Sequence, residues 1–208
     1  MDIFGVVFLV AVIVMSVVIH EVMHGVAADW LGDPTARLQG RLTLNPIPHL
    51  DLFGSIILPI LTALSPGGFF FGWAKPVPYN PYNLRRAPMW GEAIVAVAGP
   101  ASNLALALVF GLLIRLELFP DMIGMFMYVV AINISLTVLN LIPIPPLDGS
   151  KIVSAILPRP LSSGYDQLRM RMEYNPFLGF GLLLVLIIVF GGAFGNLVSN
   201  IAQTIAGL

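Results

Sequence analysis

Residues 3–28 have the sequence IFGVVFLVAVIVMSVVIHEVMHGVAA, and this stretch decides the fold class. A helix that crosses a bilayer needs about 20 mostly apolar residues, and this run is longer than that. We do not expect a cleaved signal peptide, because the stretch has no basic region at its start and its apolar run is too long. The stretch therefore predicts a first transmembrane helix, and that helix contains His20, Glu21 and His24.

The composition of the whole chain also indicates a membrane protein. Of its 208 residues, 58% are hydrophobic and only 10% are charged, whereas soluble domains have about 25% charged residues. The net charge of −1 leaves no basic surface to neutralise phosphates, so we expect no nucleic-acid partner. The chain has no cysteine, which excludes disulfides, thiolate metal sites and a cysteine nucleophile. We expect residues 1–208 to form a single domain embedded in the lipid bilayer.

Three further stretches are long and apolar enough to cross a membrane. Together with the first stretch they predict four full spans, at about residues 3–28, 89–116, 122–141 and 177–206. Residues 52–64 are apolar but short, which predicts a re-entrant or interfacial segment within the loop 30–88, although a full crossing stays open. Residues 40–44 alternate polar and apolar side chains, as a short strand does. The predicted fold is an all-α polytopic membrane protein with one small β or extended region.

The distribution of basic residues predicts the orientation in the membrane. If residues 52–64 do not cross, nine of the ten lysines and arginines fall on one side, and only Arg115 falls on the other. Basic residues accumulate on the cytoplasmic side of membrane proteins. We therefore expect a multi-pass plasma-membrane protein whose segments 30–88 and 142–176 face the cytoplasm and whose termini both face outward. A full crossing by residues 52–64 would give seven against three, which is less favourable.

The first helix contains an HExxH motif at residues 20–24. Positions i and i+4 lie on one face of a helix, so the imidazoles of His20 and His24 can share one metal ion. Glu21 is turned by about 100° around the helix and can reach a water on the metal without being a ligand. Ionisable groups inside a span are costly, and a divalent cation is their simplest partner. The alternative is a group of polar residues at the interfacial end of the helix, which the apolar run before His20 makes less favourable.

A third protein ligand is needed, because a catalytic zinc usually takes three protein ligands and a water. The strongest candidate is Asp148, which follows three prolines at the cytoplasmic end of the third span. Irregular backbone at that depth is tolerated only where it is buried in protein or lines a wet cavity. An Asp-Gly turn is the alternative interpretation of Asp148. His49 and Asp51 could support or gate the site, but we favour a loop pair with no catalytic role.

Two patterns together resemble a known family. The HExxH motif in the first hydrophobic helix and NxxPxxxLDG at residues 140–149 resemble the site-2 protease family of intramembrane zinc metalloproteases. The resemblance covers roughly residues 16–152. Four other stretches resemble a compact bacterial branch of that family that lacks PDZ and CBS domains, namely residues 32–37, 40–46, 72–78 and 98–103.

The resemblance implies a zinc-dependent protease that cuts peptide bonds in or near the transmembrane helices of membrane-protein substrates. It implies that His20, His24 and Asp148 hold one zinc ion per chain. It also implies that Glu21 is the catalytic base, which activates the attacking water together with the zinc. Asn140 could hydrogen-bond the substrate backbone or the tetrahedral oxyanion, and a role as a helix C-terminal cap is an equally good interpretation.

Two other functions stay open on the sequence alone. A membrane zinc transporter would need a second polar site for the ion, and only Asn133, Ser135 and Thr137 are available for it along the third span. A scaffold that binds membrane helices would not need Glu21, which is present. The sequence does not identify the oligomeric state.

Overall fold

The computed structural model describes residues 2–57 and 74–208, and this part of the chain is almost entirely helical. The α helices are α1 (Ile3–Leu31), α2 (Thr35–Leu38), α3 (Gly91–Arg115), α4 (Ile123–Asn140), α5 (Asp148–Ile156), α6 (Arg159–Tyr174) and α7 (Pro176–Ala206). Short 3₁₀ turns occur at Ile47–His49, Pro81–Asn83 and Pro120–Met122, and a π-helical turn occurs at Leu52–Ile57. The predicted all-α class is confirmed.

Four helices are long and apolar enough to cross a membrane, as the sequence predicts. The spans that meet this criterion are Ile3–Leu31, Gly91–Arg115, Pro120–Asn140 and Ile188–Ala206. The first of them begins at Asp2, whose carboxylate accepts a hydrogen bond from the N–H of Gly5 at 2.9 Å. It ends at Gly32, whose φ of 111° is open to glycine and strained for residues with a side chain.

The spanning helices run in alternating directions, which brings specific depths of each helix together. α1 and α3 are antiparallel, because Ser16 lies beside Asn103 and His24 lies beside Val95. α4 is antiparallel to α3 in turn, because Asn103 contacts Asn133 and Pro100 contacts Thr137. The C-terminal end of α1, the start of α3 and the end of α4 therefore lie at one end of the bundle.

An apolar cluster joins α3, α4 and α7 at the opposite end. Its buried members are Ala107, Ile114, Phe126, Val130, Ile134, Val198, Ala202 and Ala206. In a membrane, close packing rather than exclusion of water stabilises helix contacts, and small residues such as alanine allow that packing. Arg115 at the end of α3 donates to the backbone carbonyls of Thr204 and Ile205, which fixes the end of α7 against α3.

Residues 40–44 do not form the short strand that their alternation indicates. No strand occurs among residues 2–57 and 74–208. The N–H of Arg41 donates to the carbonyl of Ala36 at 2.9 Å, so the backbone closes the end of α2 instead of pairing with a neighbouring strand. Residues 74–80 lack regular secondary structure.

The two other irregular regions of the prediction contain more helix than expected. Of the short apolar segment 52–64, the structure describes residues 52–57 as a π-helical turn, and the remainder lies outside the described residues. The loop predicted at residues 142–176 contains α5 and α6. An ion pair of 2.9 Å between Arg169 of α6 and Glu92 of α3 attaches this region to the bundle.

Asp33 fixes the connection after α1. Its side chain is fully buried. The carboxylate accepts hydrogen bonds from Thr35, from the N–H of Asn80 at 2.6 Å and from the side chain of Asn83 at 2.9 Å. Burial alone would raise the pKa of Asp33, but these donors lower it below its ordinary value. The ionised carboxylate thus joins the end of α1 to residues 80–83.

Candidate active site

The side chains of His20, His24 and Asp148 meet inside the bundle. The histidines lie one turn apart on α1, and Asp148 is the first residue of α5. The two Nε2 atoms are 3.0 Å apart, and each lies 3.2 Å from Oδ2 of Asp148. All three side chains are buried. Residues separated by more than 120 positions in the sequence thus present three ligand-type atoms to one point.

The second nitrogen of each imidazole is already engaged. Nδ1 of His24 lies 2.7 Å from the carbonyl oxygen of Val95, which can only accept, so Nδ1 carries the proton. Nδ1 of His20 lies 2.6 Å from Oδ1 of Asn103. The amide of Asn103 donates to the carbonyl of Ser16 and to Asn133, which places its oxygen towards His20. In the neutral form of each imidazole, Nε2 therefore presents a lone pair.

This arrangement of donors and acceptors suits a cation. Two unprotonated imidazole nitrogens and a carboxylate oxygen cannot hydrogen-bond to one another, because none of the three has a proton to give. Their separations of 3.0, 3.2 and 3.2 Å are close to the spacing of about 3.3 Å between ligands that lie about 2.0–2.1 Å from a tetrahedral zinc ion. Nitrogen and oxygen donors of this kind suit zinc. The residues present therefore fit a zinc ion.

Gly99 of α3 leaves the space that the imidazoles occupy. A Cβ atom at this position would lie 2.5 Å from Nε2 of His24 and 2.6 Å from Nε2 of His20. Real Cβ atoms do not make contacts so short, so a larger residue would displace the two imidazoles. The structure thus places Gly99 against the ligand-type atoms themselves.

Glu21 lies beside the histidine pair and is held by the extended segment 74–80. Its Oε2 accepts a hydrogen bond of 2.9 Å from the N–H of Val77. Its carboxylate and the two imidazoles can place their ligand-type atoms within 4.8 Å of one another. The guanidinium of Arg41 donates to the carbonyls of Lys75 and Pro76, at 3.0 and 3.3 Å, and fixes the segment that holds Glu21. The carboxylate is therefore oriented towards the histidines without occupying the position of Asp148.

The polar residues of the third predicted span orient His20 through Asn103 and hydrogen-bond their own and neighbouring helices. Asn133 donates to Ser16 at 3.0 Å and accepts from Asn103, which in turn orients His20. Ser135 and Thr137 donate to carbonyls of their own helix, and Thr137 also reaches the carbonyl of Pro100. These three side chains are therefore engaged in contacts that hold the helices together, and they do not assemble a second ion site of the kind a transporter needs.

The other candidate site residues from the sequence, Asn140, His49 and Asp51, make side-chain hydrogen bonds to groups close to them in the chain. The side-chain nitrogen of Asn140 donates to the carbonyl of Leu136 one turn earlier, at 3.0 Å. Nε2 of His49 lies 3.0 Å from the carbonyl oxygen of Thr43, and the carbonyl of His49 accepts from the N–H of Lys75. Asp51 accepts from the N–H of Gly54 at 2.6 Å. The structure therefore gives His49 and Asp51 loop contacts and does not bring either to the three ligand-type atoms.

Comparison with known proteins gives consistent matches over most of the chain. The model of peptidase family M50 matches residues 8–120 and 117–186. YwhC of Bacillus subtilis, which is named as a candidate zinc metalloprotease, is 36% identical over 191 residues. That alignment covers 87% of this chain and 80% of YwhC.

Two mycobacterial proteins match a shorter part. Rip2 of Mycolicibacterium smegmatis, also named as a candidate zinc metalloprotease, is 34% identical over 139 residues, or 65% of this chain and 51% of Rip2. Rip2 of Mycobacterium tuberculosis is 32% identical over 138 residues, with the same shares of the two chains. This chain thus aligns with about half the length of these two relatives. No solved structure matches it.

Proposed function

Because the chain belongs to peptidase family M50, we propose that it hydrolyses peptide bonds in or near the transmembrane helices of membrane proteins. It is a multi-pass membrane protein and a zinc metalloprotease of the site-2 type. One observation supports the more detailed proposal. Two imidazole nitrogens and a carboxylate oxygen lie within 3.2 Å of one another, next to the carboxylate of Glu21.

We assign one zinc ion per chain to His20, His24 and Asp148. Asn103 and the carbonyl of Val95 hold the imidazoles in the tautomer that a metal needs, and such partners also fix the orientation of the rings. A bound zinc ion supplies Lewis acidity, which makes water nucleophilic near neutral pH and polarises the scissile carbonyl. Two neutral imidazoles and one carboxylate leave the centre with a net charge of +1 before Glu21 is counted.

Glu21 is the proposed base. Its carboxylate takes a proton from the attacking water and passes it to the nitrogen of the leaving amine as the peptide bond breaks. The N–H of Val77 holds one carboxylate oxygen in place, which leaves the other oxygen for the water. The protein therefore positions the base before the substrate arrives.

Asn140 is proposed to bind substrate backbone. A substrate helix hides its peptide groups in its own hydrogen bonds, so it must unwind before cleavage and then needs new partners. The side-chain nitrogen of Asn140 uses one of its two N–H groups on the carbonyl of Leu136. Its carbonyl oxygen can accept from an N–H of the unwound substrate segment.

The site is proposed to open towards the cytoplasm. Arg37, Arg86 and Arg169 pair with groups near the end of α1 and the start of α3, the end of the bundle at which the histidines lie. Arg115 lies at the opposite end, with the C-terminus of α7. This distribution supports the cytoplasmic assignment of the site and the outward position of both termini.

Single cysteines test this orientation cleanly, because the chain has no cysteine of its own. Tyr82 and Leu208 are 93% and 71% exposed, and they belong to the two opposite ends. In intact cells, a membrane-impermeant maleimide should label Leu208→Cys and should label Tyr82→Cys only after lysis. Labelling of Tyr82→Cys in intact cells would contradict the proposed orientation.

Proteolysis is tested with purified full-length protein reconstituted in vesicles together with a panel of single-span test proteins. Cuts should fall in or next to the apolar segment of at least one test protein, as read by mass spectrometry. Treatment with 1,10-phenanthroline should stop cleavage, and added zinc should restore it. Cleavage that survives complete removal of the metal, or that occurs only in soluble loops, would contradict the proposed function.

A further inference from the structure

Lys151 is a cation beside the candidate active site that the proposed mechanism does not yet use. It lies on α5, three residues after Asp148, and its side chain is half-buried. Long side chains on a helix lean towards its N-terminus, which directs Lys151 towards Asp148. Its Nζ lies 5.5 Å from the centroid of the Tyr79 ring, a distance at which a cation and an aromatic face attract each other.

Tyr79 connects Lys151 to the side of the site on which Glu21 lies. It belongs to the extended segment 74–80, and the N–H of Val77 in that segment donates to Glu21 at 2.9 Å. The ammonium of Lys151 therefore lies between α5, which provides Asp148, and the segment that holds Glu21. It interacts electrostatically with both carboxylates and with Glu173.

Lys151 remains charged in this position. Burial alone lowers the pKa of a lysine, but Tyr79 and the carboxylates of Asp148, Glu173 and Glu21 raise the pKa of Lys151 above its ordinary value. The lysine is thus a permanent positive charge at neutral pH and not a proton donor or acceptor in the reaction.

Other basic side chains near this end of the bundle have other contacts. Arg41 donates to backbone carbonyls of residues 75 and 76, Arg169 pairs with Glu92, Arg37 pairs with Asp29, and Arg86 donates to the carbonyl of Trp30. Lys75, the other lysine of the chain, is exposed. Among these basic side chains, Lys151 is the one that lies on the helix of Asp148 and whose ammonium lies over Tyr79 of the segment that holds Glu21.

Peptide hydrolysis creates a negative charge that such a cation can stabilise. When water attacks the carbonyl carbon, the π electrons of the C=O bond move to the oxygen. When the C–N bond breaks, that electron pair re-forms the C=O bond and the amine nitrogen takes the proton held by Glu21. A preorganised donor aimed at the developing oxyanion stabilises the transition state more than the substrate.

We propose that Lys151 hydrogen-bonds the carbonyl oxygen of the scissile peptide as it becomes an oxyanion, an inference that rests on the proposed proteolytic function. The ammonium donates a hydrogen bond and keeps its protons throughout. Tyr79 lies beneath the ammonium and fixes its position, so it is a positioning residue. A purely structural alternative is that Lys151 only attaches α5 to the segment 74–80.

The kinetic test compares Lys151→Met with Lys75→Met, which removes the other lysine from an exposed position. Lys151→Met should lower kcat by about 10²-fold with KM and zinc content near wild type, because an oxyanion donor acts in the transition state. Lys151→Arg should recover part of kcat, and Lys75→Met should leave all three quantities unchanged. Asn140→Ala should instead raise KM. An unchanged kcat in Lys151→Met, or a loss of zinc that accounts for its defect, would overturn the proposal.

A binding measurement keeps the test independent of a known substrate. An N-phosphoryl dipeptide has a tetrahedral anionic phosphorus group that resembles the oxyanion, whereas imidazole is a neutral metal ligand. Zinc-loaded Lys151→Met should bind the phosphoryl dipeptide at least about 10-fold more weakly than wild type and should bind imidazole equally well. Equal affinity of both proteins for the phosphoryl dipeptide, or no binding by wild type, would refute the role of Lys151. Absence of proteolysis by wild type with this binding difference intact would refute the proposed function alone.

Discussion

Replacing Glu21 by glutamine is expected to lower kcat by about 10²–10⁴-fold while the zinc content per chain stays at the wild-type value. Glutamine has the same shape and can still accept the N–H of Val77, so the local contact at 2.9 Å is retained. It cannot take a proton from water, so only the base is lost. The comparison requires cleavage rates in vesicles and metal analysis of the same protein preparations.

The matched control is Glu92→Gln, because Glu92 lies at the start of α3 and pairs with Arg169 instead of facing the histidines. It should keep both its zinc and most of its cleavage rate. Glu21→Gln with a rate near wild type would remove Glu21 from the mechanism. The same variant also separates the proposed function from its alternatives, since transport of zinc or binding of membrane helices would continue without the base.

The spans and the grouping of the two histidines could be predicted because they depend on strong local signals. Membrane length sets the size of an apolar run, and HExxH places two imidazoles on one helix face through its spacing alone. Asp148 was a candidate because prolines and an acid at a span end are unusual. The helices α5 and α6 were missed because they are short or charged, and an apolar-run criterion does not detect them.

The partners that fix the site could not be predicted, because they depend on how neighbouring helices are aligned. The carbonyl of Val95 and the N–H of Val77 are backbone groups, which no side-chain pattern reveals. Asn103 lies inside a span, where a polar side chain is a functional candidate by default. Only the antiparallel alignment of α1 and α3 shows that it faces His20.

Replacing Asp148 by alanine is expected to weaken zinc binding by more than about 100-fold, since loss of a residue that merely supports a ligand already costs about 10–100-fold. The variant leaves two neutral imidazoles as the remaining protein ligands. It also removes the only carboxylate that lies 3.2 Å from both Nε2 atoms in the described part of the chain. Zinc titration of the metal-free protein in detergent measures the effect, and cleavage should fall with zinc occupancy.

Asp51→Ala is the matched control, because it removes a different acid without removing a proposed zinc ligand. Asp51 is the acid that the sequence offers as a possible support or gate for the site, and it accepts a hydrogen bond from the N–H of Gly54 in a local turn. The Asp51→Ala variant should bind zinc as the wild type does. Asp148→Asn, which keeps the shape of the side chain, distinguishes loss of a ligand from misfolding, and it too should bind zinc weakly. If Asp148→Ala and Asp148→Asn both kept wild-type affinity, the third ligand would lie elsewhere, because two histidines alone do not account for a tightly held zinc ion.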